Sequence, residues 1–281
     1  MKGPFRKGLA RFRARLGGVR GTPTCLLTAL LLLASASAAA EAGWSERSSS
    51  HFQLFESIGF ARYSGADGSR EFERNVLATL EAAHERVRDL LHLEPRSRTR
   101  VYVYSPDVFD AQFASRFGFR AAGFWDGAIH VRGSSRLDAQ LVGTLHHEYL
   151  HSALDSLAPR DLWPAWLNEG LAEYFERLAL GRRSMDASED ARLRAAVASG
   201  NWIPLEQLSG PTLAGLAQGP AEIAYLESYA AVEMMYRISG PDRVHTLITE
   251  LARTRMLDRA LQNAFHATLA GIQAQLIAQF R

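Results

Sequence analysis

The motif His-Glu-x-x-His at residues 147–151 restricts the possible folds of this chain more than any other feature. On a helix, His147 and His151 lie one turn apart on the same face, so both imidazoles can bind one metal ion. Glu148 lies beside that face, where it can hold and deprotonate a metal-bound water. The helix is predicted to be buried because the residues around the motif are apolar, namely Val142, Leu145, Tyr149 and Leu150.

A second acidic segment follows, and it supplies a third metal ligand. Residues 166–174 read Trp-Leu-Asn-Glu-Gly-Leu-Ala-Glu-Tyr, and Pro164 just before them suits the first turn of a helix. If the chain turns back after the first motif, Glu169 comes within reach of the same ion. Catalytic zinc takes three protein ligands and leaves a fourth position for water, and it gives buried imidazoles and carboxylates the partner that they need. The two segments therefore predict one zinc ion per chain and a hydrolytic reaction.

These two segments resemble the gluzincin metallopeptidases, the thermolysin-like and aminopeptidase-N-like group that is also called peptidase MA-like. The resemblance is specific over about residues 123–180 and looser from there to the C-terminus. It implies an α+β fold of the thermolysin-like zincin type, in which a lobe with a small mixed sheet and a zinc helix faces a mainly helical C-terminal lobe. It also implies that His147, His151 and Glu169 bind the zinc ion and that Glu148 is the general base.

The resemblance extends to two further side chains. Thermolysin-like members carry a carboxylate four residues after the ligand Glu that orients a zinc-bound imidazole, and Glu173 holds that place. Aminopeptidase-like members carry a Tyr that stabilises the tetrahedral intermediate. The segment 223–229 is similar, which makes Tyr225 the candidate and Tyr229 the second choice. In the alternative interpretation, both tyrosines only pack between helices.

The segment 123–131 decides which kind of peptidase the resemblance favours. Aminopeptidases carry Gly-x-Met-Glu-Asn in this place, and its Glu binds the amino terminus of the substrate. This chain has Gly-Phe-Trp-Asp-Gly-Ala-Ile-His-Val instead, so endopeptidase activity is favoured. In the resembling families an edge strand here pairs with the extended substrate. Residues 126–130 are therefore predicted to bind the substrate, with Gly127 and Ala128 as the contact residues.

Hydrophobic periodicity predicts the elements around the motifs. Strands are predicted over residues 51–56, 100–104 and 123–131. Helices are predicted over residues 71–92, from 106 onward, over 221–238 and over 241–253, with a long loop over 201–220 and a continuous helical stripe over 257–280. These elements divide the chain into an α/β lobe over about 41–155, which contains the zinc helix, and a helical lobe over about 156–281.

The first 40 residues are predicted to be a secretory signal peptide. Seven basic residues and no acidic one precede an apolar run from Leu26 to Leu33, and small residues follow it up to a cleavage site after Ala40. The alternative is an uncleaved membrane anchor, but the run is shorter than the roughly 20 residues that span a bilayer. The protein is therefore expected to be exported, to a periplasm or to the exterior, and to stay membrane-anchored only if the leader remains.

The overall positive charge belongs to this leader. The whole chain has a formal charge of +2, whereas residues 41–281 contain 25 basic and 30 acidic residues and have a charge of −5. A nucleic acid is therefore not expected as a partner, and a membrane is expected only through an uncleaved leader. The expected partner is a peptide or protein substrate. Cys25 is the single cysteine, so residues 41–281 form no disulfide.

Two alternatives to a zinc peptidase stay open. The first is an exported binding or scaffold module that keeps the fold without turnover, although such a module has no need of Glu148. The second is a zinc hydrolase that acts on a non-peptide amide or ester, because the same ligands serve both reactions.

Overall fold

A five-stranded mixed sheet forms the N-terminal part of the fold. The computed structural model describes residues 43–57, 68–113, 121–213 and 215–281, so the predicted leader lies outside the described residues. The strands are β1 (Trp44–Ser48), β2 (Phe52–Ser57), β3 (Thr99–Tyr104), β4 (Gly123–Trp125) and β5 (Ile129–Arg132). Their order is β1-β2-β3-β5-β4, with β2 and β5 parallel to β3 and the two outer pairs antiparallel.

Nine helices account for most of the remaining described residues. They are α1 (Gly68–Leu91), α2 (Pro106–Phe113), α3 (Ala139–Leu157), α4 (Ala165–Ala179), α5 (Ala187–Ser199), α6 (Gln218–Ser239), α7 (Pro241–Thr254), α8 (Leu257–Phe265) and α9 (Leu269–Ala278). All strands precede α3, and only helices and connections follow it, which confirms the predicted α+β class. Among the residues that the structure describes, no helix is long and apolar enough to cross a membrane.

The motif helix α3 is held against one face of the sheet. Asp138 caps its start by accepting a hydrogen bond from the N–H of Leu141 at 2.9 Å. Leu145 and Leu150 are fully buried and belong to the same core as Val101 of β3. β2, β3 and β5 largely alternate buried and more exposed residues, so each contributes one apolar face to this core. The sheet and the core thereby fix the position of α3.

The predicted strand over residues 123–131 is in fact a hairpin. β4 and β5 are antiparallel and are joined by a turn at residues 126–128, where Gly127 has a φ of +102°. A side chain is strained at this φ, so the glycine serves the turn. The Asp-Gly pair was a turn signal that the apolar alternation around it obscured. β4 forms the edge of the described sheet and β5 is interior, so only residues 123–125 of the single strand predicted over 123–131 lie at the edge.

Two C-terminal predictions also need correction. The stripe over residues 257–280 is divided into α8 and α9, because His266 ends α8 with a φ of 54°. The predicted loop at 201–220 contains a 3-10 turn, and Leu205, Leu208 and Leu213 are buried in the core. Apolar spacing reports burial in both places, but it does not report where the backbone changes direction.

Gly170 lets α4 and α6 approach each other closely. A Cβ on Gly170 would lie 2.9 Å from Cγ2 of Val232 and closer still to the backbone carbonyl of Ser228. Because backbone atoms cannot swing aside as a side chain can, we expect Gly170→Ala to lower the free energy of unfolding by about 3 kcal/mol. Urea unfolding measures this change. Gly210→Ala is the control, since nothing lies within 4 Å of a Cβ at Gly210; equal stability of both variants would contradict the close approach.

Glu227 is a buried carboxyl group that connects α6 to the segment after α5. One carboxylate oxygen accepts a hydrogen bond from the N–H of Ile203 at 3.0 Å, and the other has no hydrogen-bond partner among the described residues. Burial raises the pKa of Glu227 to about 8. Between the ordinary pKa and this value, the folded protein retains a proton that the unfolded chain releases. The stability that Glu227 contributes is therefore lost as the pH rises through 8.

Glu227→Gln should remove this pH dependence. We expect the free energy of unfolding of the wild type, relative to that of Glu227→Gln, to decrease from pH 5 to pH 8 by at least about 1.4 kcal/mol, the equivalent of one pKa unit. Urea unfolding of both proteins at several pH values measures the difference. A difference that stays constant over this range would mean that Glu227 is already ionised in the folded protein at pH 5.

Candidate metal centre

The side chains of His147, His151 and Glu169 converge between α3 and α4. Nε2 of His147 lies 3.5 Å from Oε2 of Glu169, and Nε2 of His151 lies 3.6 Å from the same oxygen. Their potential ligand atoms all lie within 4.8 Å of one another. In a tetrahedral zinc site with bonds of about 2.0–2.2 Å, neighbouring ligand atoms are about 3.3–3.6 Å apart. The chemistry and the spacing of these three groups therefore fit one zinc ion.

The other ring nitrogen of His147 and of His151, Nδ1, also forms a hydrogen bond. Nδ1 of His147 donates to Oε2 of Glu176 at 3.1 Å, and Nδ1 of His151 donates to Oδ1 of Asn168 at 2.9 Å. With one proton on Nδ1, each ring can offer the lone pair of Nε2 to a metal ion that lies between it and Glu169. This is the arrangement in which histidines bind metal ions, with a carboxylate or amide oxygen behind each ring.

The structure corrects the role predicted for Glu173. Glu176, three residues further along α4, forms the hydrogen bond to His147, whereas Glu173 pairs with Arg177 at 3.3 Å. Arg177 is buried and lies on the same helix as Glu173. The Glu173 carboxylate is therefore already paired with a guanidinium. One feature of the sequence is related to Glu176, namely the glycine at position 143 on α3. This glycine leaves room for the Glu176 side chain, since a Cβ at Gly143 would lie 2.8 Å from Oε1 of Glu176.

Removing the Glu176 carboxylate should weaken zinc binding. We expect Glu176→Ala to lower the zinc affinity about 10- to 100-fold, because His147 loses the partner that orients its ring. Glu173→Ala is the matched control on the same helix face, with an expected change of less than about threefold. Competition with a chromophoric zinc chelator measures both affinities. A larger loss in Glu173→Ala than in Glu176→Ala would restore the role that the sequence suggested.

Two carboxyl groups of the site differ in their acidity. Burial raises the pKa of Glu148 to about 7. Burial also disfavours the charged form of Glu169, but His151 and His147 outweigh it and hold the pKa of Glu169 at about 2. Neighbouring groups with such different pKa values are suited to different tasks. Glu169 is suited to be an anionic ligand, and Glu148 is suited to exchange a proton near neutral pH.

Tyr225 and Tyr229 lie one turn apart on α6 and have different surroundings. Burial, reinforced by the negative charges of Glu169, Glu173 and Glu148, raises the pKa of Tyr225, so its hydroxyl stays protonated. Tyr229 is fully buried, with the guanidinium of Arg177 4.1 Å from its ring centre. The charges of the candidate centre thus act on Tyr225, whereas Tyr229 packs against Arg177, and the catalytic role of Tyr225 stays a prediction.

The hairpin places different residues at the cleft from those predicted. Gly127 lies in the turn and borders a cavity of about 190 Å³, and Ala128 is 5% exposed. Substrate binding by Gly127 and Ala128 stays a prediction. Gly123 of the edge strand β4 is instead the residue next to Glu148, since a Cβ on Gly123 would lie 3.2 Å from Cγ of Glu148.

Sequence reasoning missed three residues near this centre besides Glu176. Asn168 directly precedes the candidate ligand Glu169 in the sequence. This position could have been used to predict that Asn168 lies near the metal centre. Gly123 could have been noticed as the start of the strand before α3. Arg160 carried no signal, because it lies in a short 3-10 turn, Arg160–Leu162, between α3 and α4.

Comparison with known proteins agrees with this geometry. A family model described as the Peptidase MA superfamily matches residues 135–280. The matched region contains α3, α4 and α6 and therefore all three candidate ligands, Glu148 and Tyr225. A search among curated proteins found no match.

Proposed function

The chain belongs to the peptidase MA superfamily, and from this we propose that it is an exported zinc metallopeptidase that cleaves peptide bonds, acting as an endopeptidase. The observation that carries the proposal is the convergence of His147, His151 and Glu169 at spacings that suit one zinc ion. The buried carboxyl group of Glu148 beside them distinguishes a hydrolytic site from a structural one, because a structural zinc site has no use for it.

The side chains of the site have complementary tasks in this reaction. A zinc ion, when bound, lowers the pKa of a water molecule and polarises the carbonyl of the scissile bond. Glu148 takes a proton from the attacking water and returns it to the leaving amine. The protonated hydroxyl of Tyr225 donates a hydrogen bond to the oxyanion that develops on the substrate. Glu176 and Asn168 keep the two imidazoles in the tautomer that binds metal.

β4 is the outer strand of the sheet among the described residues, and this position supports a peptide as the substrate. The carbonyl of Ala122 accepts from Arg132, and the N–H of Asp126 donates to Ala128. Because hydrogen-bonding directions alternate along a strand, the backbone groups of Gly123 and Trp125 point away from β5. An extended peptide can add to this edge as a further strand. Gly123 would then bring the peptide backbone next to Glu148.

Export rests on the predicted leader over residues 1–40. Its basic start, apolar run and small residues up to Ala40 support secretion to a periplasm or to the exterior. The N-terminal sequence of the protein recovered from producing cells tests cleavage after Ala40. An intact N-terminus in a membrane fraction would favour the anchored form.

The peptidase activity can be tested with an unfolded protein substrate. We expect the zinc-loaded protein to cleave reduced, denatured polypeptides at internal bonds, to lose this activity with a chelator and to regain it with zinc. A hydroxamate on a peptide backbone should inhibit cleavage. Turnover of simple esters or amides without peptide cleavage would favour the non-peptide hydrolase, and a folded protein that takes up no zinc would favour the binding module.

A further inference from the structure

Arg160 lies where β4, the outer strand of the described sheet, ends. Its Nη1 donates a hydrogen bond to the carbonyl oxygen of Trp125 at 2.8 Å. That carbonyl is one of the groups of β4 that point away from β5, so Arg160 itself occupies the last hydrogen-bonding position of this edge. A peptide paired with Gly123 would therefore meet the guanidinium group at the Trp125 end of β4.

The guanidinium of Arg160 has few partners among the residues that the structure describes. Arg160 is exposed, and no described carboxylate forms an ion pair with it. A guanidinium carries five N–H donors, and one of them is used by Trp125. Most of its hydrogen-bonding capacity is thus directed at solvent or at a ligand.

Arg160 is also linked to the candidate zinc site through β4. Trp125, whose carbonyl it binds, lies two residues from Gly123 on this strand. A Cβ on Gly123 would lie 3.2 Å from Cγ of Glu148. A group that binds Arg160 beside β4 would therefore lie near the bond that is cleaved.

The surroundings of Trp125 extend this basic character. The cavity of about 190 Å³ next to Trp125 has Arg98 and Arg100 among its lining residues. Its one lining carboxylate, on Asp155, accepts a hydrogen bond from the indole N–H of Trp125 at 3.1 Å. The end of the sheet at which a bound peptide would leave β4 is consequently rich in arginine.

We propose that Arg160 determines substrate specificity by binding a carboxylate of the peptide substrate. This inference rests on the proposed peptidase function. Arginine suits the role because its planar guanidinium can bind both oxygens of a carboxylate at once. The carboxylate can come from an Asp or Glu side chain or from the C-terminus of the peptide, since both present the same group to Arg160.

The alternative is that Arg160 only joins the 3-10 turn to β4, or only tunes the charge around Glu148. Both of these roles would affect every substrate alike. Selectivity between matched substrates is therefore the measurement that separates the proposal from them.

The test uses the zinc-loaded protein and peptides that differ in one carboxylate. One set places Glu or Gln at a single position on either side of the scissile bond, and a second set compares the free C-terminal acid with its amide. We expect the wild type to favour the acidic member of one set at least tenfold in kcat/KM, mainly through KM. In Arg160→Gln the ratio should fall to about one, and Arg160→Lys should retain part of it. The control Arg136→Gln changes an exposed arginine at the opposite end of α3 and should keep the wild-type ratio.

The two sets identify the source of the carboxylate, because only the matching set should respond to Arg160→Gln. A ratio that survives in Arg160→Gln, or an equal loss for acidic and neutral peptides, would overturn the inference. A wild type that cleaves peptides without any acidic preference would also overturn it while leaving the peptidase function intact. A zinc-loaded wild type that cleaves no peptide would overturn both. Circular dichroism and zinc content show that each variant is folded, and Arg160→Lys gives a second result if Arg160→Gln is not.

Discussion

Glu148→Gln should lower kcat by at least about 100-fold, the lower end of what a general base contributes, without loss of zinc or fold. Gln has nearly the same size as Glu and can occupy the same buried position beside Gly123. It cannot accept a proton from water, so the step that needs a base is lost. Steady-state cleavage of a peptide substrate, together with metal analysis of the same preparation, measures both properties.

Thr144→Ser is a control for this experiment. Thr144 also lies on α3 and borders Gly123. It has no group that can act as a base at neutral pH, so its replacement should leave kcat within about threefold of the wild type. Turnover by Glu148→Gln at the wild-type rate would remove Glu148 from the mechanism, although the metal site could still stand.

Replacing a candidate ligand should abolish zinc binding. We expect one zinc ion per chain in the wild type and close to none in His147→Ala and in Glu169→Ala after dialysis against trace zinc, because two remaining ligands hold the ion only weakly. Zinc should also raise the thermal unfolding temperature of the wild type, since a ligand that binds only the folded state stabilises it. Metal analysis and thermal unfolding with and without zinc measure these effects.

His245→Ala is the control for the ligand variants. His245 lies on α7, where its ring bonds to the carbonyl of Leu91, away from the candidate centre. It should bind zinc like the wild type and respond to it with the same rise in unfolding temperature. Full zinc occupancy in Glu169→Ala would show that the third ligand comes from elsewhere, with the carboxylates of Glu173 and Glu176 as the nearest replacements.

The short-range part of the candidate centre was predictable because it follows from helix geometry. The spacing of His147 and His151 places them one turn apart on any helix, whatever surrounds it. Apolar residues around the motif predicted a buried helix, and α3 is buried along most of its middle turns. The α+β class and the mixed sheet followed from the resemblance and from the strand and helix periods, and the structure confirms them.

Long-range pairings were not predictable in the same way. Glu173 and Glu176 both lie on the α4 face that turns towards His147, and only the position of Arg177 decides which one is free to bond the imidazole. Tyr225 and Tyr229 likewise differ by one turn of α6, and the packing of that helix against α4 decides that Tyr229 lies against Arg177. The sequence pattern alone does not show which residue of such a pair contacts the candidate centre.

The sequence by itself determined the identity of the candidate metal ligands, the helix that carries two of them, and the overall class of the fold. These depend on residue type and on spacing within one helix, which are local properties. The tertiary structure decided that β4 is the outer strand of the described sheet, that Glu176 bonds to His147, and that Arg160 bonds to the carbonyl of Trp125. Each of these depends on how separate helices and strands pack together, and that packing is set by the whole core at once.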